Sequence, residues 1–145
     1  MELYTEIEIK APIKKVWENL TDFENFPLWN PFISQIKGEL TKGAQLEITI
    51  QPPGGQAMTF RPKVQKVELN YELRWLGHFG LPGIFDGEHI FSLEQLEENH
   101  IRLIQREIFS GLLVPLFAQY LTTKVHQGFQ SMNQALKLRS EQMGA

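Results

Sequence analysis

The sequence predicts an α+β protein: a curved, seven-stranded antiparallel sheet wrapped around one long C-terminal helix. Residues 2–10 alternate apolar and charged side chains, residues 33–109 keep a period near two, and residues 114–139 place apolar groups at spacings of three and four. A helix with such a stripe must bury it, and the sheet is the only large partner that this order of elements leaves.

In "MELYTEIEIK" Leu3, Thr5, Ile7 and Ile9 share one side, as in a half-buried strand. "APIKKVWENLTDF" reads as a short helix, with Pro12 suited to its first turn and Ile13, Val16, Trp17 and Leu20 on one face. A second helical piece is expected from Asp22 to Phe26, ending before Pro27. The segment "PLWNPF" carries two prolines and reads as irregular. Six strands follow, at about 33–39, 44–51, 57–67, 70–78, 84–95 and 100–109, separated by turn signals such as "TKG", "QPPGGQ", "HFGLPG" and "EENH". Short connections between successive strands predict an antiparallel meander. The final helix runs from about Val114 to Arg139. Its stripe is read as Leu113, Phe117, Tyr120, Leu121, Val125, Gly128, Met132, Ala135 and Leu136, with Pro115 in the first turn.

A chain of 145 residues is long enough for one substantial core, so residues 1–145 are read as a single domain. The formal charge is −3 and the basic residues are scattered, which lacks the footprint of a nucleic-acid binder. Without cysteine there are no disulfides, thiolate nucleophiles or zinc-thiolate sites, and a reducing, cytoplasmic setting is expected. The start has no secretory pattern, and "GLLVPLFAQYL" is too short and interrupted to span a membrane. His78, His89, His100 and His126 form no ligand-spaced pair, so no metal is expected. "PPGGQ" joins two strands and opens no helix, so it is no phosphate loop, and no Gly-x-Ser-x-Gly appears. No cofactor is expected.

The stretch "IFDGEHIFSLE" carries the most chemical information. Phe85, Gly87, His89, Phe91 and Leu93 share one face, which sets an imidazole among apolar groups. If "LEEN" connects the last two strands, the register pairing Leu93 with Leu103 also pairs Phe91 with Gln105 and His89 with Glu107; a shift of two pairs His89 with Gln105. Either way His89, Gln105 and Glu107 cluster. They fit three roles: a buried group satisfying its own hydrogen bonds, a polar anchor for a ligand, or an acid/base pair. Trp29 and Phe32 suit either a cavity wall or simple packing of an irregular segment, and Trp75 shares its strand face with Leu73 and Gly77.

The element order, together with "FENFPLWNPF", "FRPKV", "RWLG", "FDGEHIFSLE" and "QREIFSGLL", resembles the START-like SRPBCC superfamily, specifically its polyketide cyclase/dehydrase-type bacterial members. The resemblance covers nearly the whole chain. It implies a helix-grip fold with a deep, mostly apolar cavity between sheet and long helix, and it transfers no invariant catalytic residue. The inward candidates for that cavity are Trp29, Phe32, Phe60, Trp75, Phe85, His89, Phe91, Gln105, Glu107, Phe117, Tyr120 and Leu121. The expected role is binding or transport of a small hydrophobic molecule of lipid, polyketide, aromatic or isoprenoid type. The alternatives are a cyclase/dehydratase-like enzyme using His89 and Glu107, and a cochaperone-like interaction module. Either a monomer or a homodimer fits.

Overall fold

The computed structural model describes residues 1–142. Strand β1 (Glu2–Ile9) buries Leu3, Thr5 and Ile9 on the face that alternation assigns them. Pro12 then precedes α1 (Ile13–Thr21), which buries Val16, Trp17, Asn19 and Leu20. The next helical piece does not stop before Pro27. A 3₁₀ turn (Phe23–Asn25) leads into a one-turn helix, α2 (Phe26–Trp29), that contains Pro27 in its first turn, where a missing N–H costs nothing. Asn30 ends it. Its Oδ1 accepts hydrogen bonds from the backbone N–H groups of Phe32 (2.9 Å) and Ile33 (2.8 Å), which turns the chain into the sheet.

The strands are β2 (Ile33–Lys37), β3 (Glu47–Ile50), β4 (Met58–Phe60), β5 (Lys63–Glu68), β6 (Glu72–His78), β7 (Asp86–Glu97) and β8 (His100–Ser110). With β1 they make eight, not seven. The expected strand 57–67 is two strands divided at Arg61 and Pro62, because Pro62 has no N–H to give to a ladder. The sheet divides there as well, into a five-stranded part of order β1-β8-β7-β6-β5 and a three-stranded part of order β2-β3-β4. The parts remain joined along a seam where Leu46 N–H donates to Pro62 O and Val64 N–H to Ala44 O, each at 2.8 Å. Every pairing is antiparallel.

The long helix holds the main departure from simple periodicity. It comprises α3 (Val114–Tyr120), a π-helical turn (Leu121–Val125) and α4 (His126–Gln142). A π turn adds a residue and rotates everything after it relative to a regular helix. The buried side is therefore Leu121, Val125, Gly128, Phe129, Met132, Asn133, Leu136 and Ser140, so Phe129 and Asn133 face inward where Ala135 was expected. Gly128 leaves a notch that the ring of Phe32 fills; a Cβ there would overlap the ring. Around Phe129, Met132 and Leu136 the interior is solidly packed. Burying each such side chain contributes about 1.5–3 kcal/mol.

Candidate functional site

The other half of the helix does not pack down onto the sheet. A cavity of about 520 Å³ lies between the concave sheet face and α3 with the π turn. That is room for roughly 17 waters and falls within the usual range of small-molecule pockets. One cause is local: Gly77 on β6 and Gly87 on β7 are register partners, so two adjacent strands present no side chain at the same row. The wall recedes there. Around the recess stand Ile48 and Ile50 from β3, Met58 and Phe60 from β4, Trp75 from β6, Phe109 from β8, and Phe117, Tyr120, Leu121 and Val125 from the helix. Phe79, Leu113 and Phe117 line the cavity and yet are 47%, 42% and 43% exposed, which marks where it opens to solvent.

The register of β7 and β8 is the one that pairs Leu93 with Leu103, Phe91 with Gln105 and His89 with Glu107. His89, 4% exposed, reaches both of its candidate partners. Its Nε2 is 3.0 Å from Gln105 Oε1 and its Nδ1 is 3.4 Å from Glu107 Oε1. Gln105 is fully buried. Its amide nitrogen donates to Asn133 Oδ1 (2.6 Å) and to the Phe129 carbonyl (3.3 Å), so its Oε1 must be the acceptor and His89 Nε2 the donor. Asn133 in turn donates to Thr5 Oγ1 (2.8 Å), and that hydroxyl donates to the Gln105 carbonyl (2.7 Å). A closed polar chain thus runs from the helix through the sheet to the cavity wall, and Glu107 is its end. The His89 ring is held by stacking on Phe91 (4.5 Å between centroids) and by contacts with Phe129 (4.9 Å) and Trp75 (5.2 Å).

Of the residues expected inside, Phe32, Phe60, Trp75, Phe85, His89, Glu107, Phe117, Tyr120 and Leu121 line the cavity. Three do not. Trp29 packs edge-on against Phe26 (5.1 Å), Phe91 lies behind His89 and is buried, and Gln105 belongs to the polar chain beneath. The row His89–Glu107 is the boundary: one row along β7 toward Phe91 is filled core, one row the other way is the glycine recess. Sequence reasoning missed Asn133, which looks like a polar interruption of the helix stripe until the π turn is known. It also missed Phe79, read as part of a turn; its ring meets Phe85 at 5.6 Å across that turn.

Asp86 fixes the turn at the opening. Its Oδ1 is 2.6 Å from His78 Nδ1, and its Oδ2 accepts from the backbone N–H of Gly83 (2.9 Å). The hydrogen bond to His78, with a smaller contribution from Gly83, holds the Asp86 carboxyl below the usual range against the opposing cost of desolvation. Gly83 and Ile84 carbonyls then accept from Leu112 N–H (3.0 Å) and Leu113 N–H (2.9 Å), which ties this turn to the start of the long helix.

Residues 1–141 match the family described as polyketide cyclase / dehydrase and lipid transport. The chain belongs to this family. Among solved structures, a START superfamily protein from Mycobacterium smegmatis is 22% identical with a TM-score of 0.77, covering 98% of each chain. The Zhui aromatase/cyclase from Streptomyces sp. R1128 is 13% identical with a TM-score of 0.82, covering 100% of this chain and 96% of its own. A Thermus thermophilus protein is 14% identical with a TM-score of 0.77 and 100% coverage of both. At these identities the likeness is one of fold, the helix-grip fold of START-like family members. Among curated proteins none matches the chain. Among the described residues no helix is long and apolar enough to cross a membrane.

Proposed function

We propose that this family member binds a small hydrophobic, ring-containing molecule in the cavity between the sheet and the long helix. The observation that carries the reading is the cavity itself: about 520 Å³ of space walled by aromatic and aliphatic side chains, with Glu107 and His89 as a polar station at the edge of the packed core. Apolar surface held open in this way gains free energy when a ligand covers it, at roughly 25 cal/mol per Å² removed from water. Aromatic rings recur along the wall, with Phe60, Phe79, Phe85 and Phe117 each within 6 Å of the next by ring centroid, which favours flat ligands over branched ones. Native mass spectrometry of freshly purified protein tests the reading, with Leu121→Trp as the control that fills the space. A co-purifying organic molecule lost in the variant supports it; a folded wild type that takes up no apolar probe at any concentration sinks it.

A cyclase/dehydratase-like activity is the second reading, favoured by one observation. His89 Nδ1 and Glu107 Oε1 face each other at 3.4 Å on the cavity wall, where a proton could pass between them and a bound carbonyl compound. Turnover of a poly-β-keto model substrate that disappears in Glu107→Gln while binding persists would separate catalysis from carriage.

A further inference from the structure

The polar station has a definite chemical sense. None of the residues around the cavity is a lysine or arginine, and Glu107 supplies its one carboxyl group. The two oxygens of that group are placed differently. Oε1 faces His89 Nδ1 at 3.4 Å. Oε2 lies over Gly87, so close that a Cβ on Gly87 would collide with it, and among the described residues neither oxygen has a hydrogen-bond donor apart from the His89 contact. The bare backbone of Gly87 and Gly77 leaves this side of the carboxyl open toward the recess. His89 offers nothing further, because its Nε2 is taken by Gln105. The indole N–H of Trp75, the register partner of His89, has no hydrogen-bond partner but is covered by protein atoms, so what the wall presents to a ligand at this point is the Glu107 acceptor.

Charge narrows the class. A ligand cation would have to shed its hydration against a wall that is apolar apart from this station, where the His89 imidazole already stands 3.4 Å from Glu107 Oε1. An anion is worse placed. It would bring its negative charge against the Glu107 carboxyl oxygens in surroundings of Phe85, Phe109 and Trp75, with no lysine or arginine in the wall and with His78 already held by Asp86, so little offsets the loss of its hydration.

We propose that the ligand is an uncharged ring-containing molecule that donates a hydroxyl hydrogen to Glu107 over Gly87, and that the cavity rejects carboxylate-bearing molecules such as free fatty acids. This deepens the cavity reading above and rests on it.

Fluorescence titration with four probes of one shape tests it: 1-methylpyrene, 1-pyrenemethanol, 1-pyrenecarboxylate and 1-pyrenemethylamine, against wild type, Glu107→Gln and Glu107→Leu. The alcohol should bind wild type roughly tenfold or more tighter than the methyl compound, and the carboxylate should bind weakest. Glu107→Leu should erase the advantage of the alcohol. Glu107→Gln, which keeps the shape and an acceptor oxygen, should retain part of it and relieve the exclusion of the carboxylate. Equal affinities for the four probes in wild type, or tightest binding of the carboxylate or the amine, overturn the proposal while leaving the cavity reading intact. Binding of none of the four to folded wild type overturns both.

Discussion

The carboxyl group of Glu107 rests on the bare Cα of Gly87, on the neighbouring strand and one row closer to the cavity than its own register partner His89. Gly87 therefore acts as a seat for that side chain. Gly87→Ala should push the far end of Glu107 aside, an adjustment that a flexible side chain makes cheaply, so stability should change by no more than about 1 kcal/mol. Affinity for a hydroxyl-bearing apolar probe should fall roughly tenfold. Paired urea melts and probe titrations check this, and an unchanged affinity would show that the seat does not matter.

Leu121 and Leu136 lie on the same buried side of the long helix but in different surroundings. Leu136 sits in filled core, whereas Leu121, in the π turn, borders the cavity. Leu136→Ala should cost about 3–5 kcal/mol, since it opens a hole among packed neighbours. Leu121→Ala should cost only about 1–2 kcal/mol, because part of its surface has no packed partner to lose. Chemical denaturation of both variants measures the contrast, and equal losses would argue that the space beside Leu121 is filled.

The opening of the cavity should loosen in acid. Asp86 has its carboxyl held low by His78 and by the Gly83 N–H, so its contribution to stability is fully present above the ordinary aspartate value of about 3.9 and is lost as pH falls through its lower folded value. Wild type and Asp86→Asn should therefore differ in thermal stability at mildly acidic pH and converge at lower pH. A difference that stays constant down to the lowest pH at which both remain folded would remove Asp86 from this role.

Particular residues show where the sequence was readable. The clustering of His89 with Gln105 and Glu107 was legible because Leu93 and Leu103 must share a face, but an even shift of two residues keeps that face, so only the structure picks the register that sets His89 opposite Glu107. Pro62 announced a break in the fourth expected strand, yet alternation on both of its sides disguised two strands as one. The π turn left a faint trace in the four-residue spacing of Leu121, Val125 and Phe129, which a regular helical period absorbs without complaint. Phe91 and Gln105 could not be told from cavity residues because they share strand faces with His89 and Glu107. Only the line along which the helix meets the sheet separates filled core from open space, and apolar composition is the same on both sides of it.

Asn133 should govern the hydrogen on His89 from the far side of Gln105. By accepting from the Gln105 amide nitrogen at 2.6 Å, it turns Oε1 toward His89 and so requires a hydrogen on Nε2, whether the ring is neutral or cationic. That leaves Nδ1 as the atom facing Glu107. Asn133→Leu keeps the volume but removes both the acceptor for Gln105 and the donor to Thr5, at a cost of about 1–3 kcal/mol for the polar groups left unpaired. Gln105 is then free to turn its amide over and present nitrogen to the ring, which moves the hydrogen to Nδ1. Long-range proton–nitrogen correlation spectra should show a protonated Nε2 in wild type and a shift toward protonated Nδ1 in the variant. A wild-type ring with a bare Nε2 would mean that the chain of hydrogen bonds runs in the opposite sense, with Gln105 donating to His89.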